Sequence, residues 1–124
     1  MPNKVPLPGR PVRGSKSGKP IMALFDLLGR TWALGIVWQL SESPLTFRQL
    51  QERCETVSPT VLNKRLNELK ASGFVERCNA GYQLTRLGKE LFGYLKPLGA
   101  FSQHWGTMLL HESNQQKDRS AECQ

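Results

Sequence analysis

The stretch SPTVLNKRLNELKASGFVER, residues 58–77, constrains the fold more tightly than any other part of the chain. Ser58 followed by Pro59 marks a helix start, because a hydroxyl can cap free backbone N–H groups and proline fits the first helical position. Three leucines recur at intervals of four and three residues and share one helix face: Leu62, Leu66 and Leu69. Gly73 is the residue type that ends helices. The pattern predicts a helix over 58–72 with a buried leucine face.

The face opposite these leucines carries small polar and basic side chains. At about 100° per residue, the side chains on that face are Thr60, Asn63, Lys64 and Asn67. A shorter helix precedes them, with Thr46 as the expected N-cap and Phe47 and Leu50 facing inward. Two helices joined by a tight turn, the second exposing such a face, suit the DNA major groove. We therefore expect DNA contacts from this face together with Ser58, Arg48 and Gln49, whereas Arg65 lies toward the core edge and is expected to pair with an acid.

Alternating apolar residues follow the predicted helix and indicate two short strands. They span Phe74–Cys78 and Tyr82–Thr85, with a turn around residues 79–81. Arg77 stands at the base of this hairpin and is a further candidate DNA contact. A helix-turn-helix followed by a hairpin predicts a mainly α fold with a small β-hairpin wing, that is, a winged helix.

Composition divides the chain into three parts. Residues 1–19 are rich in proline, glycine and positive charge, which predicts a flexible basic arm carrying Arg10, Arg13, Lys16 and Lys19. Residues 20–110 hold the apolar periodicity of a winged-helix DNA-binding and dimerisation domain, in which Gly29 divides the first two helices. Residues 111–124 are polar and are expected to form a disordered tail.

The charge balance narrows the class of partner. Seventeen Lys and Arg against ten Asp and Glu give a formal charge of +7 and a pI near 9.7. Such a surface favours a polyanion, with nucleic acid first and an anionic membrane second. No apolar run approaches the roughly 20 residues of a membrane span, and no signal peptide is evident, so we expect a cytoplasmic protein without membrane contact.

At this point the sequence resembles the HxlR-type transcriptional regulators, a branch of the winged-helix proteins close to the MarR group. Four segments carry the resemblance: PIMALFDLLGRTWALGIVWQL, LTFRQLQERC, SPTVLNKRLNELKASGFVER and YQLTRLGKEL. The resemblance implies a homodimer that binds double-stranded operator DNA, regulates nearby genes and often responds to electrophiles or oxidants. Many members carry a sensing cysteine before the first proline of the motif, where this chain has Lys19. The wing is also short here, so we expect the basic arm to take over part of its minor-groove role.

The last long helix carries a second apolar pattern. Six large residues step by three or four positions: Leu91, Tyr94, Leu98, Phe101, Trp105 and Met108. This is the spacing of a helix that packs along another helix. One small domain can hardly bury all of them, although part of the pattern must close over the core. The terminal helices are therefore predicted to form a homodimer interface, which would place two reading helices about 34 Å apart on a pseudo-palindromic operator.

Catalytic and metal-binding patterns are absent from the sequence. His104 and His111 lack partners at metal-ligand spacing, and no phosphate-binding loop or nucleophile motif occurs, so we expect neither an enzyme nor a cofactor or metal. Cys78 and Cys54 are candidate redox thiols, although free cysteines more often act as small apolar residues. The residues identify no small-molecule effector, operator sequence or sign of regulation. The alternative function is a winged-helix module that holds protein or RNA without regulatory DNA specificity.

Overall fold

The computed structural model describes the backbone of residues 5–122 and the side chains of residues 5–111. The elements in chain order are α1 (Pro20–Leu28), α2 (Ala33–Leu40), α3 (Phe47–Arg53), α4 (Pro59–Ala71), β1 (Val75–Cys78), β2 (Gly81–Leu84) and α5 (Arg86–Glu122). Helices dominate, and the two strands form an antiparallel hairpin directly after α4. The predicted mainly α fold with a hairpin wing is confirmed.

The chain divides into two compact units, Met1–Phe92 and Gly93–Gln124. The first unit contains α1 to α4, the hairpin and the first turns of α5, and the second consists of the remainder of α5. Within residues 5–122, no single helix combines the length and apolar composition needed to cross a membrane. In that part of the chain, α1 and α2 taken jointly are the one pair that meets these criteria, and they are bent by 85° relative to each other.

The core of the first unit lies between α1 to α4 and the hairpin. The leucine stripe of α4 is fully buried, and Leu50 of α3 and Ile36 of α2 are equally inaccessible. At about 25 cal/mol per Å² of apolar surface, each such leucine contributes roughly 1.5–3 kcal/mol of burial free energy. The remaining buried apolar side chains are Ala23, Leu27, Ala33, Val37, Leu40, Leu45, Cys54, Val75, Tyr82, Leu84 and Leu91. Burial of the leucine stripe fixes which face of α4 remains outside.

The hairpin gains a third pairing partner from outside the two strands. Val75 pairs with Leu84 and Cys78 with Gly81, and Tyr82 also exchanges two backbone hydrogen bonds with Leu45, at 3.0 and 2.8 Å. Gly81, at φ 124°, permits this approach, because a Cβ there would lie 2.3 Å from the Leu45 carbonyl oxygen. The wing is thus joined directly to the segment that precedes α3.

Helix α5 begins at a cap that the sequence did not reveal. The Thr85 hydroxyl donates to the Gly73 carbonyl oxygen and accepts from the Gly88 N–H at 3.0 Å. This tie links the start of α5 to the end of α4. The helix then continues to Glu122, whereas the sequence placed a disordered tail from residue 111. Residues 107–122 contain no glycine or proline, so nothing in the sequence interrupts the helix there. The last two residues of the predicted tail lie outside the described residues.

The described part of the N-terminal arm, residues 5–19, folds back on itself. The Gly9 N–H donates to the Gly18 carbonyl oxygen at 2.8 Å, and Val12 and Ser15 exchange two backbone hydrogen bonds. The Arg13 N–H donates to Asp26 Oδ2 at 3.1 Å, which ties this turn to α1. Glycine supplies the positive φ that such turns need, 90° at Gly9. Residues 1–4 of the predicted arm lie outside the described residues.

Candidate nucleic-acid interface

Helix α3 starts at the predicted cap and holds two of the candidate contacts. The Thr46 hydroxyl accepts from the Gln49 N–H at 3.1 Å, and the Gln49 side-chain oxygen accepts from the Thr46 N–H at 2.9 Å. This reciprocal pair is a capping box, so Gln49 has a local structural role through its oxygen. Arg48 is exposed and lies 3.7 Å from the Glu52 carboxylate, a weak surface pair that leaves its guanidinium accessible.

The turn between α3 and α4 uses strained backbone that sequence reasoning missed. Glu55 and Thr56 both adopt the left-handed conformation, at φ 55° and 56°. Left-handed backbone costs roughly 1–2 kcal/mol for a residue with a Cβ. The Gln51 side chain donates to the Val57 carbonyl oxygen at 3.0 Å and helps to hold the turn. Neither residue is glycine or asparagine, so the sequence gives no signal for this conformation.

The outward face of α4 is accessible, as predicted. Ser58 caps the helix by accepting from the Val61 N–H at 3.2 Å, and Pro59 occupies the first helical position. Four side chains stand on this face and are exposed, and we call them the reading face: Thr60, Asn63, Lys64 and Asn67. They are short or flexible polar groups with no aliphatic neighbour among them. Such a face can offer amide hydrogen bonds to base edges and an ammonium group to a phosphate.

A buried ionic cluster fixes the orientation of α4 against α1. Glu68 is 4% exposed and accepts hydrogen bonds from Arg30 and from Arg65, the latter at 2.8 Å between Nη1 and Oε1. Arg65 Nε also donates to the Thr31 carbonyl oxygen at 2.7 Å, and Arg30 lies 3.6 Å from Asp26. The predicted pairing of Arg65 with an acid is confirmed. The central role of Glu68 was not foreseen, because no spacing rule connects it with Arg30, 38 positions earlier.

The wing presents little positive charge. The Arg77 guanidinium carbon lies 5.5 Å from the centroid of the Tyr82 ring, a cation–π arrangement across the hairpin. Gln83 donates to Glu76 at 3.0 Å on the other face of the hairpin. Arg77 is exposed and so remains accessible to a phosphate, but the ring contact also accounts for its position.

The two described cysteines differ in environment. Cys54 is fully buried, and its burial, followed by the charge of Glu55, raises the pKa of its thiol. A raised pKa lowers the thiolate fraction and hence the reactivity, so a packing role suits Cys54 better than sensing. Cys78 is partly exposed at the end of β1 and is the more accessible thiol of the two. No metal-binding cluster of His, Cys, Asp or Glu occurs among the described side chains.

The apolar pattern of α5 separates into two parts. Leu91 is buried in the first unit, whereas five residues of the second unit are between 48% and 75% exposed: Tyr94, Leu98, Phe101, Trp105 and Met108. We call these five side chains the α5 face. So many large apolar groups exposed on one helix are typical of an interaction surface.

Comparison with known proteins adds a family match to this geometry. A family model described as HxlR-like helix-turn-helix matches residues 27–114. YvaP from Bacillus subtilis, an uncharacterized HTH-type transcriptional regulator, is 30% identical over 87 residues, covering 64% of this chain and 81% of YvaP.

Solved structures of YodB from B. subtilis are similar in fold. The quinone-bound structure superposes with a TM-score of 0.62 and 30% identity, covering 68% of this chain and 96% of the YodB chain. The reduced form, titled a transcriptional regulator, gives a TM-score of 0.59 and 28% identity, covering 66% and 87% of the two chains. The names of these relatives thus describe transcriptional regulators.

Proposed function

Because this chain belongs to the HxlR-like helix-turn-helix family of DNA-binding transcriptional regulators, we propose that it binds a specific pseudo-palindromic operator as a homodimer. Each protomer would insert α4 into the major groove, with α3 crossing the phosphate backbone. We place this activity in the cytoplasm. The effect on nearby genes follows from occupancy of the operator.

The exposure of the reading face is the observation that supports this proposal. Asn63 and Asn67 lie one helical turn apart and can each form two hydrogen bonds with the edge of an adenine. Lys64 between them is suited to a phosphate, and Thr60 can contact a thymine methyl group or a phosphate. The burial of the leucine stripe on the opposite side leaves this face free for a duplex.

The test begins with selection of bound duplexes from a random pool, which reports base preference and half-site spacing together. We expect two inverted half-sites about 10 base pairs apart. Asn67→Ala should lower affinity for the selected site by about 1–3 kcal/mol and relax preference at one position in each half-site. Lys64→Ala should weaken binding to all sequences alike. Lys70→Ala, which removes the same charge from the last turn of α4, is the matched control. Uniform, salt-sensitive binding without sequence preference would contradict the proposal.

The α5 face is the proposed dimer interface. Phe101 and Trp105 are 60% and 58% exposed and lie one turn apart, so they can pack against the same residues of a second copy. Phe101→Glu should shift the protein to monomers in sedimentation experiments, because a charge in an apolar interface is left unpaired. Gln103→Glu adds the same charge to an exposed position between them and should leave the dimer intact. A monomeric wild-type protein at micromolar concentration would refute the interface.

The basic arm is proposed to supply part of the electrostatic attraction to DNA, in place of a charged wing. Four of its basic residues are exposed and precede α1: Arg10, Arg13, Lys16 and Lys19. Each phosphate neutralised contributes about −0.9 to the slope of log affinity against log salt. Deletion of residues 1–18 should therefore reduce both affinity and this slope. An unchanged slope would show that the arm makes no phosphate contact.

A further inference from the structure

A small polar cleft lies beside the reading face, where three separate segments meet. Its volume is about 140 Å³, and its lining residues are Arg13, Gly29, Arg30, Thr31, Lys64 and Arg65. The arm, the turn between α1 and α2, and α4 each contribute at least one basic side chain. At roughly 30 Å³ per water, the cleft has room for four to five waters, comparable with the five heavy atoms of a phosphate group.

The charges in the cleft are only partly balanced. Two carboxylates, Glu68 and Asp26, engage Arg30 and Arg65 behind the cleft. Four cations facing two anions leave two net positive charges. Within the described side chains, neither the Lys64 ammonium nor the Arg13 guanidinium has an acidic partner. An anion entering the cleft would therefore meet uncompensated positive charge and several N–H donors.

The basic residues of the cleft are held in place by contacts with other parts of the fold. Arg65 is 14% exposed in its side chain and is held by both Glu68 and the Thr31 carbonyl oxygen. The backbone of Arg13 is tied to Asp26, which brings the arm to the same place. Arg30 is 9% exposed, so its guanidinium is fixed within the wall of the cleft. Preorganised donors of this kind lose little conformational entropy when an anion binds.

We propose that this cleft binds a phosphate of the DNA backbone at the edge of the groove occupied by α4. Lys64 belongs to both the cleft and the reading face, so a phosphate held there lies next to the bases that Asn63 and Asn67 face. This assignment rests on the proposed DNA-binding function. It gives the arm a definite role through Arg13 and makes the α1–α2 turn part of the DNA-binding surface.

Thr31→Glu tests the proposal, because it places a carboxylate in the cleft and leaves the Thr31 carbonyl bond to Arg65 available. The matched control is Ser43→Glu, which makes the same charge change at an exposed turn position beside Glu42. We expect Thr31→Glu to reduce the salt slope of DNA binding by about 0.9 for each cleft, with an undiminished melting temperature. Arg13→Gln should also reduce the affinity for DNA. Ser43→Glu should change neither affinity nor slope.

A second measurement uses inorganic phosphate without DNA, at constant ionic strength, and follows the backbone amide resonances of residues 29–31. Saturable shifts in the wild type that disappear in Thr31→Glu, together with the slope change, support the duplex-phosphate site. Shifts without a slope change, in a protein that binds DNA, would assign the cleft to a free phosphate compound and overturn the duplex source. If the wild type binds DNA but neither effect occurs, the cleft proposal fails while the proposed function stands. If the wild type binds no DNA, the proposed function fails and the duplex assignment fails with it.

Discussion

Removal of the Glu68 carboxylate should destabilise the protein far more than removal of any surface acid. Glu68→Ala leaves Arg30 and Arg65, with side chains 9% and 14% exposed, without their shared acceptor. Loss of one partner from a buried ion pair costs about 3–5 kcal/mol. Arg30 retains Asp26 at 3.6 Å and Arg65 retains the Thr31 carbonyl oxygen, so the lower end of that range, about 3 kcal/mol, is expected.

The matched control is Glu52→Ala, because Glu52 pairs with Arg48 on the surface at 3.7 Å and both side chains are more than half exposed. That variant should lose no more than about 0.5 kcal/mol. Urea unfolding followed by tryptophan fluorescence gives both values, at one fixed protein concentration, because dimerisation would make stability depend on concentration. The Glu68→Ala melting temperature should fall by about 12 °C or more. Equal losses in the two variants would refute the structural role of the cluster.

Two further predictions each compare two residues of the same type, two glycines of α5 and two cysteines, that differ in their surroundings. Gly88→Ala should destabilise the protein by more than about 1 kcal/mol, because its Cβ would lie 2.1 Å from the Phe74 carbonyl oxygen. Gly93→Ala places its Cβ where nothing lies within 4 Å, so it should stabilise α5 by about 0.5–1 kcal/mol. Similar denaturation midpoints for the two variants would contradict this difference. In a Cys123→Ser variant, iodoacetamide should modify Cys78 well before Cys54 at neutral pH. The rate at Cys54 should rise only at a pH above the ordinary range of thiol pKa values, because burial raises the pKa of the Cys54 thiol. Mass spectrometry of each peptide follows the reaction, and faster loss of the Cys54 thiol would contradict its burial.

The sequence predicted the elements whose signals are local. Ser58, Pro59 and Gly73 fixed the limits of α4 because caps act within one helical turn, and the leucine spacing identified its buried face and therefore the reading face. The strand pairing of Leu45 with Tyr82 could not be foreseen, since a single bridged residue has no alternation of its own. The end of α5 was also misplaced, because polar composition was taken as disorder although it is equally compatible with an exposed helix.

The candidate site likewise contains one part that the sequence predicted and one part that it did not. The residues proposed to face the bases lie on one helix, so their shared face could be predicted from the helical periodicity of the sequence. The cleft that we assign to phosphate needs Arg13, Arg30 and Lys64 to meet, and these residues come from three segments whose contact depends on the tertiary fold. No spacing in the sequence predicts that these three residues lie close together. Charge composition indicated a polyanionic partner, but only the folded chain shows where the excess charge is concentrated.

Two separate devices position the reading face, and they control different degrees of freedom. The leucine stripe sets the depth of α4 in the core and decides which face is buried, but apolar packing is non-directional and opposes small rotations of the helix about its axis only weakly. The hydrogen bonds from Arg30 to Glu68 and from Arg65 to the Thr31 carbonyl oxygen are directional and join one side of α4 to the turn after α1, so they resist that rotation. Even a small rotation would turn Asn63 and Asn67 away from the bases that we propose they contact. The buried charges therefore hold the reading face at one angle relative to the rest of the first unit, as the proposed base recognition requires, in addition to stabilising the fold.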